Sequence, residues 1–164
     1  MNERPRIRRS AAAAADTDWK SLTTEANAAF EANDFLSAED LYEQALQEAR
    51  RRFRTDRAPQ TMSDAPPMLV AASANAAECH AQMGDLVRAA HVSFEALDAL
   101  RSAMLDPSEH PMFRQACFEH LKSALMDYSD RVTATEVGTR VFEELVVRTR
   151  EAALTYLSRK QMQH

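Results

Sequence analysis

The feature that most constrains this chain is an internal repeat built from small residues. One copy runs from Glu25-Ala26-Asn27 through Asn33-Asp34-Phe35 to Ala38, Tyr42, Ala45 and Leu46. The other runs from Ala76-Ala77-Glu78 through Gly84-Asp85-Leu86 to Ala89, Ser93, Ala96 and Leu97. Each copy has a small residue in a first helical stretch, a turn, then small residues at steps of three and four in a second stretch. Small side chains at those steps let two paired helices approach closely. Composition agrees. The 164 residues hold 2 glycines and 6 prolines, too few glycines for the many tight turns of a sheet protein. Alanine, leucine, glutamate, arginine and glutamine lose little side-chain entropy in a helix. The sequence predicts an all-α fold with a genuine core.

Apolar spacing divides the chain into about six helices. Residues 1–15 read as a disordered or weakly helical basic arm, and 16–162 as the helical domain. Asp16 or Asp18 is the expected cap of a first helix that reaches Ala32 and buries Trp19, Leu22, Ala26, Ala29 and Phe30. A second helix runs from Leu36 to Phe53. Three prolines make 54–67 a loop. A third helix starts near Pro67 or Met68 and stops before Gly84, and a fourth covers Leu86 to Met104. Asp106-Pro107 marks a stop and a new start. A fifth helix is expected over 108–129, and a sixth to Arg159, capped by a box of Thr133 and Glu136. The hairpins are therefore about 16–53, 67–104 and 108–160.

The repeated residues resemble the tetratricopeptide repeat, a helix-turn-helix unit of about 34 residues found in many bacterial proteins. Leu22, Ala26 and Ala29 sit at the family's first-helix positions. Ala38, Tyr42 and Ala45 sit at its small, aromatic and small second-helix positions, and Ala77, Ala89 and Ala96 match in the second copy. Ser93 falls where an aromatic is usual, with Phe94 one step later as a substitute. The family's closing proline is absent, since Arg50 and Arg101 hold those places. Ala38 and Ala89 stand 51 residues apart, more than one unit, and the 54–67 loop with an extended second helix accounts for the excess. The third hairpin lacks the motif and reads as a divergent repeat or a cap.

The resemblance implies a right-handed superhelical stack of three hairpins whose first helices line a concave groove for an extended or helical segment of a partner. The groove residues it implies are Lys20, Thr23, Asn27, Phe30, Ala71, Ala74, Asn75, Glu78 and Gln82. Relatives that grip a peptide carboxylate carry Asn at the places of Asn27 and Asn75; the lysine expected one turn before Asn27 is Thr23 here, and Arg114 is the candidate substitute cation. An adaptor module follows as the expected function. A small chaperone of a bacterial secretion or assembly system and a self-associating structural protein, dimerised through the last hairpin, are the alternatives.

Charge and motifs narrow the classes further. A formal net charge of −5 argues against nucleic acid as the main partner. The local arginine runs, Arg4 to Arg9 and Arg50 to Arg57, read as solvated faces or, more sharply, as surfaces for an acidic partner or nucleic acid. No zinc spacing, phosphate loop or nucleophile elbow is present, so neither an enzyme nor a cofactor is expected. His80 and His120 read as core histidines. Cys79 and Cys117 read as reduced core cysteines, which suits the cytoplasm. No apolar run is long enough to span a bilayer. The Arg-plus-Ala start is compatible with a transit peptide and, more simply, with a disordered arm.

Overall fold

The computed structural model describes residues 11–133 and 138–162. Among these the chain forms α1 (Ala11–Glu31), α2 (Phe35–Thr55), a short 3-10 turn at Met62–Asp64, α3 (Ala65–Gln82), α4 (Leu86–Leu105), α5 (Pro111–Val132) and α6 (Gly138–Gln161), and no strand. The architecture is an all-α stack of helical hairpins. α1 packs on α2, α3 lies among α2, α4 and α5, and α6 closes the stack against α4 and α5.

The two repeat copies fold into the same turn, atom for atom. α1 and α3 both end on a left-handed residue, Asn33 at φ 61° and Gly84 at φ 85°. The next amide reaches back five residues: Asp34 N–H donates to Ala29 O and Asp85 N–H to His80 O, each at 2.9 Å. The left-handed residue donates to the carbonyl three back, Asn33 to Phe30 and Gly84 to Ala81, each at 3.0 Å. This is the Schellman arrangement, and it satisfies carbonyls that the helix end would otherwise orphan. Asp34 and Asp85 then cap the following helices, their carboxylates accepting from Ser37 N–H and Arg88 N–H. Burial repeats at the same offset. Ala26, Ala38 and Ala45 are buried, as are Ala77, Ala89 and Ala96.

Leu46, Leu97, Leu100, Met104 and Phe113 are fully enclosed, and burying each such side chain is worth about 1.5–3 kcal/mol. One continuous core runs from Ala26 to Tyr156. Cys79, Cys117 and His80 lie inside it, and His120 is half-buried. Both cysteines are free thiols.

Several boundaries depart from the sequence expectation. α1 already runs through Ala11–Ala15, upstream of Asp16 and Asp18, so neither aspartate caps it; alanine is the strongest helix former. α3 starts at Ala65 and takes Pro66 and Pro67 into its first turn, where a missing N–H costs nothing. α5 starts at Pro111, not beside Pro107, and His110 caps it by accepting from Met112 N–H through Nδ1 at 3.2 Å. Thr133 closes α5, its hydroxyl donating to Ser129 O at 2.9 Å, while Glu136 of the expected box lies outside the described residues, as does the arm before Ala11.

Most of the second arginine run pairs within the chain, while Arg51 and Arg54 stay exposed. Arg50 pairs with Glu95 at 2.6 Å, Arg51 with Glu48, and buried Arg52 with Asp56. Arg57 grips Glu109 through two bonds of 2.7 and 2.6 Å and lies 3.8 Å over the Phe113 ring. That fork ties the loop after α2 to the start of α5.

Candidate functional site

The sequence-predicted groove residues fall into three groups. The first lies on α3. Ala71, Ala74, Asn75, Glu78 and Gln82 recur at steps of three and four, which places them on one face. Ala71 and Gln82 are exposed and Ala74, Asn75 and Glu78 half-buried, while the rows beside them are buried among the neighbouring helices. The Asn75 side chain has no hydrogen-bond partner among the described residues. Glu78 accepts from Gln82 at 2.8 Å and pairs with Arg131 of α5 at 2.7 Å. Those donors hold its carboxyl below the usual range, the Gln82 bond contributing most.

The second group lies on α1. Lys20 and Asn27 are exposed. Asn27 is oriented, because the Tyr42 hydroxyl donates to its Oδ1 at 2.7 Å. The carbonyl is thereby occupied and the NH₂ group is left to face outward as a donor. Thr23 turns its hydroxyl back onto Trp19 O. Phe30 packs within its own hairpin, edge-on to Phe35 at 5.4 Å and to Tyr42 at 6.3 Å, so it belongs to the core margin rather than to a groove.

The third is Arg114, which the structure keeps apart. Glu78 meets α5 at Arg131, 17 residues beyond Arg114, or about 25 Å along the helix at 1.5 Å per residue. Arg114 therefore supplies no cation to the Asn75 face. The two asparagines are not equivalent either. At the 51-residue offset that superposes the turns, Asn27 corresponds to Glu78 and Asn75 to Thr24. The missing aromatic at Ser93 is not restored by Phe94. Ser93 is buried with an unpartnered hydroxyl, and Phe94 stacks on Tyr128 of α5 at 5.8 Å instead of reaching back to α3.

Two further clusters escaped the sequence. Arg88 bonds Glu39 at 3.1 Å and Glu43 at 3.0 Å, joining α4 to α2, and buried His80 sits behind them with Nδ1 3.4 Å from Glu39. Burial, helped by the Arg88 charge, lowers the imidazole pKa against the opposing pull of Glu39, Glu43 and Asp85. Around Arg114, a cleft of 530 Å³ opens between the start of α5 and the end of α6, lined by Met112, Gln115, Tyr156, Arg159 and Lys160 among others. Both clusters join residues far apart in the chain, and no local spacing announces them.

Among the described residues no group of three or more His, Cys, Asp or Glu side chains could hold a metal ion. No helix there is long and apolar enough to cross a membrane. Fold and surface together define a protein of stacked helical hairpins. Residues 17–142, from α1 through α5 to the start of α6, match the family described as Protein of unknown function (DUF2753), and the chain belongs to that family. It matches no curated protein and no solved structure.

Proposed function

We propose that this chain is a tetratricopeptide-like protein-binding module, acting as an adaptor that holds an extended or helical segment of a partner across the α1 and α3 face. The observation that carries the reading is Asn75. It is a half-buried amide with no partner among the described residues, set on a row of alanines and bordered by the Glu78–Arg131 pair. An amide offers a donor and an acceptor at once, which matches a peptide backbone. Ala71 and Ala74 leave room for a chain to approach, and Asn27 adds an outward donor fixed by Tyr42.

The test is a pull-down with the whole chain as bait, comparing it with Asn75→Ala and with Ala71→Arg. Both positions lie on the outer row of α3, so the helical circular dichroism signal is expected to stay intact. The reading expects proteins retained by the original chain to be lost from both variants. An identical retained set would place the binding surface elsewhere.

A further inference from the structure

The cleft beside Arg114 gathers three cations, Arg114, Arg159 and Lys160, against one lining carboxylate, Glu119, and so carries a positive excess. Arg114 Nε donates to Met104 O at 2.9 Å, and its guanidinium carbon lies 5.3 Å from the centre of the Tyr156 ring. Arg159 donates to Leu105 O at 3.5 Å. Lys160 Nζ donates to Gln115 Oε1 at 2.8 Å, and the Tyr156 hydroxyl donates to the same oxygen at 3.0 Å. Every one of these acceptors is neutral. None of the three cations has a carboxylate partner among the described residues.

Of the nearby acids, Glu119 lines the cleft and Asp106 feels the Arg114 charge, and each is already hydrogen-bonded to another group. Asp106 accepts from Ser108 N–H and from the Ser108 hydroxyl. Glu109 is held by the Arg57 fork. Glu119 accepts from Gln115 Nε2 at 2.8 Å. The bonds to Met104 O and Leu105 O cap the end of α4 with single N–H groups of each guanidinium. They leave the remaining N–H groups of Arg114 and Arg159 without an acceptor among the described residues. An arginine fork so placed matches two oxygens of one anion. Met112, Ala116 and Tyr156 supply an apolar wall beside the charges. A positive cleft of this kind in a chain of net charge −5 is a local inversion of the field, which attracts anions against the overall balance.

We propose that this cleft is an anion-binding site that takes a carboxylate or phosphate carried on an apolar or aromatic body. It is separate from the α3 face and stands or falls independently of the peptide reading. Arg114 and Arg159 grip the anion, Lys160 adds charge at the rim, and Tyr156 with Met112 packs the body. Gln115 holds Lys160 and Tyr156 in place through one shared carbonyl.

The test titrates the whole chain with benzoate, phenyl phosphate and neutral benzamide, following the Arg114 and Arg159 Nε–H resonances and the Gln115 amide by nuclear magnetic resonance. Saturable shifts with either anion, and much weaker ones with benzamide, are expected; the tighter of the two anions assigns carboxylate or phosphate. Arg114→Gln and Lys160→Gln are each expected to weaken binding by about tenfold, the loss of one charge-assisted contact. Lys160 is exposed, so its variant keeps the test clear of any folding defect at Arg114. No saturable shift, benzamide binding as well as benzoate, or affinities unchanged in both variants would overturn the proposal.

Discussion

Replacing Gly84 with alanine isolates the turn that the two repeat copies share. Gly84 sits at φ 85°, and a Cβ placed there meets nothing within 4 Å. Neighbouring atoms therefore add no penalty. What remains is the clash of Cβ with its own backbone in the left-handed region, about 1–2 kcal/mol. Alanine also narrows the unfolded ensemble, which offsets about 0.4–1 kcal/mol of that loss. The net destabilisation is about 1 kcal/mol, a fall in Tm of about 2–4 °C for a chain of this size. Asn33 holds the equivalent place at φ 61°. Asn33→Ala is expected to cost a similar amount, and Asn33→Gly to be neutral or mildly stabilising. Gly84→Asn should recover part of the alanine loss, because Asn tolerates this region better than alanine. Thermal and urea unfolding followed by far-ultraviolet circular dichroism measures all four. If Gly84→Ala leaves the midpoint unchanged, or costs more than about 3 kcal/mol, backbone strain at an otherwise open turn is the wrong account. If Gly84→Ala and Asn33→Ala differ widely, the two turns are not equivalent.

Three further outcomes follow from buried groups. Thr149→Val should stabilise the chain by about 1 kcal/mol, because Thr149 is 4% exposed with an unpartnered hydroxyl and valine keeps its shape; a clear fall in the urea midpoint would show that the hydroxyl is bonded after all. His80 has a lowered pKa when folded, so the unfolded chain takes up the proton first, near its ordinary 6.5. Its contribution is intact above that pH, is lost as pH falls below it, and levels off once the folded imidazole protonates. The stability difference between the original chain and His80→Leu should therefore change between about pH 7.5 and pH 5.5, and a constant difference would refute the assignment. Burial pushes the Cys117 thiol up to about 12 and raises Cys79 as well, so a disulfide reagent at about pH 8 should modify neither until the chain unfolds; rapid reaction of the native chain would contradict their enclosure.

The legible part of this fold is the part written in neighbouring residues. Asn33-Asp34 and Gly84-Asp85 announce their turns because a left-handed residue and a capping carboxylate are local chemistry. The buried alanines are legible because close helix approach imposes their spacing. Prolines misled at Pro67 and Pro107, since a first-turn proline and a loop proline look alike until the preceding cap is known. Asp16 and Asp18 misled because the helix-forming alanines before them already belong to α1. The arginine run could not be resolved from sequence, as Arg50 and Arg57 find Glu95 and Glu109 at separations of 45 and 52 residues. Of the candidate site, the α3 row came from the tetratricopeptide resemblance, which implies that first helices line the groove, and from helical periodicity, which sets its residues on one face. The displacement of Phe30 into its hairpin, the orienting of Asn27 by Tyr42 and the removal of Arg114 to a second cleft required the packing of α2, α4 and α6.

Site-specific photo-cross-linking on the α3 face tests the central claim most directly. A photoreactive phenylalanine analogue is placed at exposed Ala71 or, as the contrast, at exposed Gln44 on α2, and the protein is irradiated in the cells that make it. Protein binding across the α1 and α3 face predicts discrete adducts from position 71 that disappear when Asn75→Ala is added, and none of the same mass from position 44. Adducts from position 44 alone, or adducts from position 71 that persist unchanged with Asn75→Ala, would contradict it.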